Sequence, residues 1–224
     1  MKRRSLREMA VRVVLLLIGL WIAHLGVTLF LQTNLGSDPF NVFVQGLFRA
    51  IPWPEWAGMT HGRVHLLVSL LIMVVLLVVD RSYVGIGTVL CMALGGPIID
   101  LYTLWLSPFL HPGLPLPVRL GLLVVGCLIL AFGMTIVIRS QAGTGPNDLV
   151  AVVLSDKSGK PFGPVRIGVD LTFALVGFAL GGVVGIGTII CAFLVGPAAQ
   201  LFFPVSEKIC VCVLNQFAGV NSRS

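Results

Sequence analysis

Charge is what this sequence has least of. Asp, Glu, Lys and Arg make up 11% of the 224 residues against 57% hydrophobic, and mean hydropathy is +1.01. A soluble domain of this length would have no adequate polar surface, so the expected solvent is largely lipid. Enzyme signatures are missing as well. There is no Walker A run, no HExxH and no GxSxG, and the two GIGT stretches at 85–88 and 185–188 read as small-residue helix contacts, not phosphate loops. No catalytic residue, no cofactor and no ATP-driven step is expected of this chain. Cysteine is sparse and odd in number: Cys91, Cys127, Cys191, Cys210 and Cys212 form no disulfide framework. Cys91 and Cys191 read as small residues at helix contacts. Cys210-x-Cys212 offers two thiols without further ligands nearby, and no metal site is expected.

What is present is a set of apolar segments of spanning length, at about 12–31, 64–80, 84–106, 118–138, 165–182 and 184–203. Each is near the roughly 20 residues that cross a hydrocarbon core, with the second and fifth on the short side. The basic start, Lys2, Arg3, Arg4 and Arg7, followed by a long apolar run, resembles a secretory signal. The run continues to Leu31 without a small-residue cleavage site, so it reads as an uncleaved first span. With the N-terminus in the cytoplasm, only Arg49, Arg63 and Arg119 of the 15 basic residues fall on the outer side. This satisfies the positive-inside tendency and places both termini in the cytoplasm of a bacterial inner membrane. The net charge of +6 is thereby a topology signal, and no nucleic-acid partner is needed to explain it.

The chain also contains itself twice. YVGIGTVLCMALGGPIIDLY at 83–102 matches VVGIGTIICAFLVGPAAQLF at 183–202, and the glycine pattern of Gly19, Gly26, Gly36 and Pro39 recurs at Gly126, Gly133, Gly143 and Pro146. The offset is 107 residues in the first block and 100 in the last, and the residues lost fall in one hydrophilic loop. The expected fold is therefore all-α: a single membrane domain over 1–204 with repeats at 10–110 and 118–204, followed by a short tail at 205–224. Three spans per repeat make the second copy enter from the opposite side, so the six helices form two inverted repeats with a working site between them. After the first span of each copy comes a segment too short and interrupted to cross, 36–48 and 143–154, which reads as a short helix. Glycine permits the turn into it, Ser37, Asp38 or Thr144 can cap it, and Pro39 or Pro146 suits its first turn.

These features, GTGPND at 143–148, its degenerate twin GSDPFN at 36–41 and the repeated VGIGT…GP, resemble the bacterial YczE/YyaS/YitT group of integral membrane proteins over about residues 10–205. The resemblance implies a membrane topology and no particular chemistry. Asp38 stands where the second copy has Gly145, so a strictly symmetric site is not implied.

Ionisable groups inside spans are costly and each needs a reason. Arg166 and Asp170 lie at i,i+4 on one face of the fifth span, either as a self-neutralised pair or as a charged lining. Gly96-Pro97 and Gly196-Pro197 are expected to interrupt the third span of each copy with a kink; Asp100 follows Pro97 by one turn, and its repeat partner is the neutral Gln200. His24, mid-span, can relay protons or hydrogen-bond a neighbouring helix. Asn41 and Asp148 are repeat equivalents inside the short helices, where they can cap or coordinate. Exposed N–H groups at a helix start favour an anion, whereas Asp38 and Asp148 favour a cation, which leaves the ligand's polarity open. The candidate site is thus Gly36, Asp38, Pro39, Asn41, Asp100, Gly143, Gly145, Pro146, Asn147, Asp148, Arg166 and Asp170, with His24 as a proton relay. Gly143 and Gly145 are expected to need glycine's backbone freedom, and Gly182, at a span end, to tolerate alanine. The partners expected are the lipid bilayer, a small solute or ion and a second copy of the chain. The function expected is alternating access between the repeats, against an accessory protein without transport or a capture subunit needing an energising partner.

Overall fold

The computed structural model describes residues 5–54, 58–59, 61–110 and 113–219. Lys2, Arg3, Arg4 and Arg223 of the topology argument lie outside the described residues. Within them the protein is all-helical: α1 (Leu6–Gln32), α2 (Pro39–Ala50), α3 (His61–Val79), α4 (Ile86–Leu106), α5 (Leu116–Ser140), α6 (Pro146–Ser158), α7 (Phe162–Ala179) and α8 (Ile186–Ala218). Six of these, all but α2 and α6, are long and apolar enough to cross a membrane. Large apolar side chains such as Leu71, Val78, Leu175 and Leu201 face outward, as a lipid-solvated protein requires. The protein is an integral membrane protein.

The centre is the antiparallel crossing of α1 and α5. A Cβ on Gly19 would stand 2.9 Å from the Gly133 carbonyl oxygen and one on Gly133 2.7 Å from that of Gly19; Gly26 and Gly126 block each other in the same way. Helices in lipid gain no hydrophobic drive from meeting, so they associate where small residues let backbones touch. Each end of this pair is closed by an arginine of the other helix. Arg12 donates to the Ser140 carbonyl at 2.9 Å, and Arg119, which lies 107 residues on, donates to the Thr33 carbonyl at 2.8 Å. Both helices finish on a non-glycine residue in the left-handed region, Asn34 and Gln141. The guanidinium groups supply partners for carbonyls that a helix end leaves over.

Beyond each end the chain turns back on a glycine whose positive φ excludes other residues, Gly36 at 147° and Gly143 at 130°. Gly36 lies against Thr188 at the start of α8, and Gly143 against Thr88 at the start of α4. The Gly187 N–H donates to the Leu35 carbonyl and the Gly87 N–H to the Ala142 carbonyl, both at 2.9 Å. The repeated GIGT stretch is therefore a docking strip for the other copy's turn, and its threonine closes the first turn through the Gly85 or Gly185 N–H.

Two expectations are corrected here. Gly96-Pro97 and Gly196-Pro197 do not interrupt their helices: α4 continues through Pro97, and α8 through Pro197 and Pro204 to Ala218, absorbing most of the expected tail. A proline forfeits one backbone bond, but ending a helix in lipid forfeits several. Gly182 is no tolerant span end, because a Cβ there would collide with the Val42 carbonyl oxygen.

Candidate functional site

The short helices α2 and α6 begin in equivalent turns with different chemistry. α2 is capped by Asp38, whose carboxylate accepts from the Asn41 N–H at 3.2 Å and also holds the Asn41 amide. In α6 the cap position is Gly145, which has no side chain to accept, and Pro146 follows in the first turn. Asp148, the equivalent of Asn41, is consequently free of a capping partner and reaches α7 instead. Its Oδ1 accepts from Arg166 Nη1 at 2.6 Å, while Arg166 Nε donates to Asp170 Oδ2 at 2.9 Å. Arg166 is 8% exposed and Asp170 1%. Two carboxylates on different helices thus share one buried guanidinium, whose fork geometry can serve both.

The cluster lies deep in the fold. Arg166 packs its Cβ and Cγ against Gly196 of α8, while His24, beside the α1–α5 crossing, fits into the space left by Gly95 of α4. Gly95 and Gly196 are at nearly the same register of the two repeats, so Arg166 and His24 share a level close to the middle of the molecule. Asp38 and Asp148 both stand within electrostatic reach of Asp170, and Asp148 within reach of His24. The His24 Nδ1 is engaged with the Leu20 carbonyl at 2.7 Å, one turn back in its own helix.

The structure accordingly brings together Asp38, Asn41, Asp148, Arg166, Asp170 and His24 from α1, α2, α6 and α7. Gly36, Pro39, Gly143, Gly145, Pro146 and Asn147 form the turns that carry them. Asp100 is not among them: it is exposed on the side of α4 that faces away from α1. Gly145 also departs from expectation. Its φ is −59°, and a Cβ would meet only the Asn147 and Asp148 side chains, so glycine is required at Gly143 but not at Gly145.

Beside the cluster opens a cavity of about 1400 Å³ on the side where α1 begins and α8 ends. Thr144, Leu149, Phe162 and Gln200 line it, flanking Asp148 and Arg166 in sequence. Thr144 is 3% exposed and its hydroxyl has no hydrogen-bond partner. The rim carries both charges, Arg139 and Lys160 against Asp156 and Glu207. Nearby, the hydroxyl and N–H of Ser82 hold the Asp80 carboxyl below its usual range. Burial, followed by the neighbouring Asp156, pushes the Tyr83 phenol up. Among the described residues no group of three or more His, Cys, Asp or Glu is arranged to hold a metal.

Several residues that build this region were not singled out from the sequence. Thr88 and Thr188 were visible as part of the repeat. Arg12 and Arg119 were detectable by applying the 107-residue offset to charged positions. Gln200, whose Oε1 accepts from the Gly163 N–H at 3.0 Å, gave no signal beyond its pairing with Asp100.

Comparison with known proteins finds uncharacterized relatives, one of them named a membrane protein, and no chemistry. The chain is 28% identical over 207 residues to the uncharacterized membrane protein YczE of Bacillus subtilis, covering 91% of this chain and 90% of that protein. It is 29% identical over 195 residues to an uncharacterized protein of Haemophilus influenzae, covering 87% and 84%, and 25% identical over 200 residues to the uncharacterized protein YyaS of Bacillus subtilis, covering 85% and 92%. No solved structure matches. A family of unknown function, DUF6198, matches residues 10–204, the stretch that holds both copies of the repeat and the whole ion cluster, and the chain belongs to that family.

Proposed function

We propose that this integral membrane protein carries a small solute or ion across the bilayer by alternating access, with the Asp148–Arg166–Asp170 cluster as its binding centre. The observation that carries the reading is the buried guanidinium shared between α6 and α7, beside a cavity that Leu149 of α6 and Phe162 of α7 line. Ionisable groups at membrane depth are costly and mark solute or proton pathways. The cluster sets one guanidinium against the carboxylates of Asp148, Asp170 and Asp38, so the group it is short of is a cation. The ligand class we assign is a small cationic solute or a coupling proton.

The two halves fit inverted repeats, because α1 and α5 cross antiparallel and the turn of each copy docks on the last helix of the other. Such folds bind at the midplane between the repeats. The basic residues put the cavity mouth, the start of α1 and the end of α8 on the cytoplasmic side of the cell membrane. The reading needs no cofactor and no catalytic step, and it leaves room for a second copy alongside.

Reconstitution in liposomes tests it. Uptake of a cation or of protons that is lost in Asp170→Asn, with the protein still folded and inserted, is the expected result. If Arg166 and Asp170 only neutralise each other, replacing both with neutral residues of similar size rescues what either single change destroys, and the binding role is refuted. Tight binding without flux would instead assign a capture subunit, and neither binding nor flux an accessory protein.

A further inference from the structure

In the second copy α7 lies on α8 backbone to backbone. A Cβ on Gly163 would stand 3.2 Å from the Gly196 carbonyl oxygen, and one on Gly196 2.6 Å from that of Gly163. Gln200 fastens the contact by accepting from the Gly163 N–H. The first copy keeps both glycines, as Gly62 in α3 and Gly96 in α4, but the α4 glycine is not used. Gly96 has nothing within 4 Å of a Cβ position. Ala93, Gly96, Pro97 and Asp100 form an exposed strip along α4, and α3 packs instead on α2 and α6.

Asp100 is the anomaly on this strip. It lies five residues beyond Gly95, which abuts His24 at the level of the α1–α5 crossing. At about 1.5 Å per residue it is roughly 8 Å from that level, well inside a hydrocarbon half-thickness of about 15 Å. A carboxylate facing lipid at this depth needs a partner. The partner that the second copy indicates is the start of the preceding helix, whose N–H groups and partial positive charge suit a carboxylate better than an amide.

We propose that α3 is a movable wall that closes onto this strip in a second conformation, with Gly62 against Gly96 and Asp100 receiving the first turn of α3. His65, the equivalent of Arg166, leaves its edge contact with Phe40, now 5.1 Å between ring centroids, and lies along Gly96 as Arg166 lies along Gly196. Arg63 in the same turn adds charge of the right sign. α3 lines none of the cavity itself but packs on α6, whose Leu149 and Val152 do, so the motion would release that side of α6 and extends the carrier reading by naming the part that moves.

Thiol crosslinking in native membranes tests it, in a Cys212→Ser background because Cys212 is the exposed native thiol. The pair Gly163→Cys with Gln200→Cys, already adjacent, serves as reference. Gly62→Cys with Asp100→Cys is expected to crosslink within one chain. Adding Gly96→Leu, which meets nothing in the present state, should cut that yield about tenfold without lowering thermal stability. No crosslink while the reference pair forms overturns the proposal, as does a yield indifferent to Gly96→Leu. Dimers formed by Asp100→Cys alone would give the strip to a second copy and also overturn it. The readout is independent of flux: a protein that crosslinks but carries nothing leaves this inference standing and defeats the carrier reading, and the reverse pattern does the opposite.

Discussion

The seam between α2 and α7 and the seam between α6 and α3 come from equivalent stretches of a duplicated chain, yet they are built differently. In the first, glycine meets glycine: a Cβ on Gly46 would collide with the Gly177 carbonyl, and one on Gly177 would stand 2.5 Å from the Phe43 nitrogen. Gln45 adds a bond to the Val183 N–H at 2.7 Å and Arg49 one to the Gly181 carbonyl, also at 2.7 Å. In the second seam the corresponding residues are Val153 and Leu76, which pack through their side chains together with Leu149. Two glycines exchanged for a valine and a leucine hold the helices apart by a layer of side chains. Duplication preserved the path of the chain, and a few substitutions decided where it is tight. The same divergence governs chemistry: Asp38 and Asn41 satisfy each other in α2, whereas Gly145 leaves Asp148 to find Arg166.

The most damaging way to break this comparison is to give the tight seam the side chain of the loose one. Gly46→Leu should cost more than about 4 kcal/mol, since the obstacle is backbone that cannot swing aside, and the protein should fail to yield a folded species in detergent. Val153→Leu, at the equivalent position, should fold. Next in size is Arg166→Leu, which strands two carboxylates beside each other and should cost about 3–5 kcal/mol, read as a lowered midpoint of thermal unfolding. Asn41→Asp, which gives α2 the acid of α6, should cost less, because its new carboxylate meets Asp38 where an amide donor stood. Smaller again is Asp38→Ala, which removes the α2 cap at about 1 kcal/mol. Gly145→Ala should cost less than about 1 kcal/mol, since alanine is a poorer cap than glycine but its Cβ meets only the ends of the Asn147 and Asp148 side chains. If Gly145→Ala proved as harmful as Gly143→Ala, the distinction drawn between the two glycines of the turn would fall.

Much of the cluster was legible because it obeys local rules. Arg166 and Asp170 are one turn apart on a helix, and their pairing needed only that helix to form. The turn glycines were readable as a pair from their repetition at a fixed offset. Asp148 was readable as a polar residue at a helix start, but nothing local says that it forgoes capping for a guanidinium 18 residues away. Asp100 and Gly145 misled for one reason: their residue types suggested a site or a strained turn, and only their surroundings show an outward-facing carboxylate and an ordinary cap.

The sequence by itself determined that the protein lives in a membrane, how many helices can span it, and that its two halves share one chain path. Those properties follow from summed hydrophobicity and from repetition, neither of which depends on knowing which residues touch. Only the tertiary structure decided which glycines are contacts, which arginine closes which helix end, and which carboxylates share Arg166. Helices in lipid are selected by close backbone approach and by mutual satisfaction of buried polar groups. Both are properties of pairs of surfaces, and apart from Arg166 and Asp170 the sequence records the members of these pairs as much as 138 residues apart.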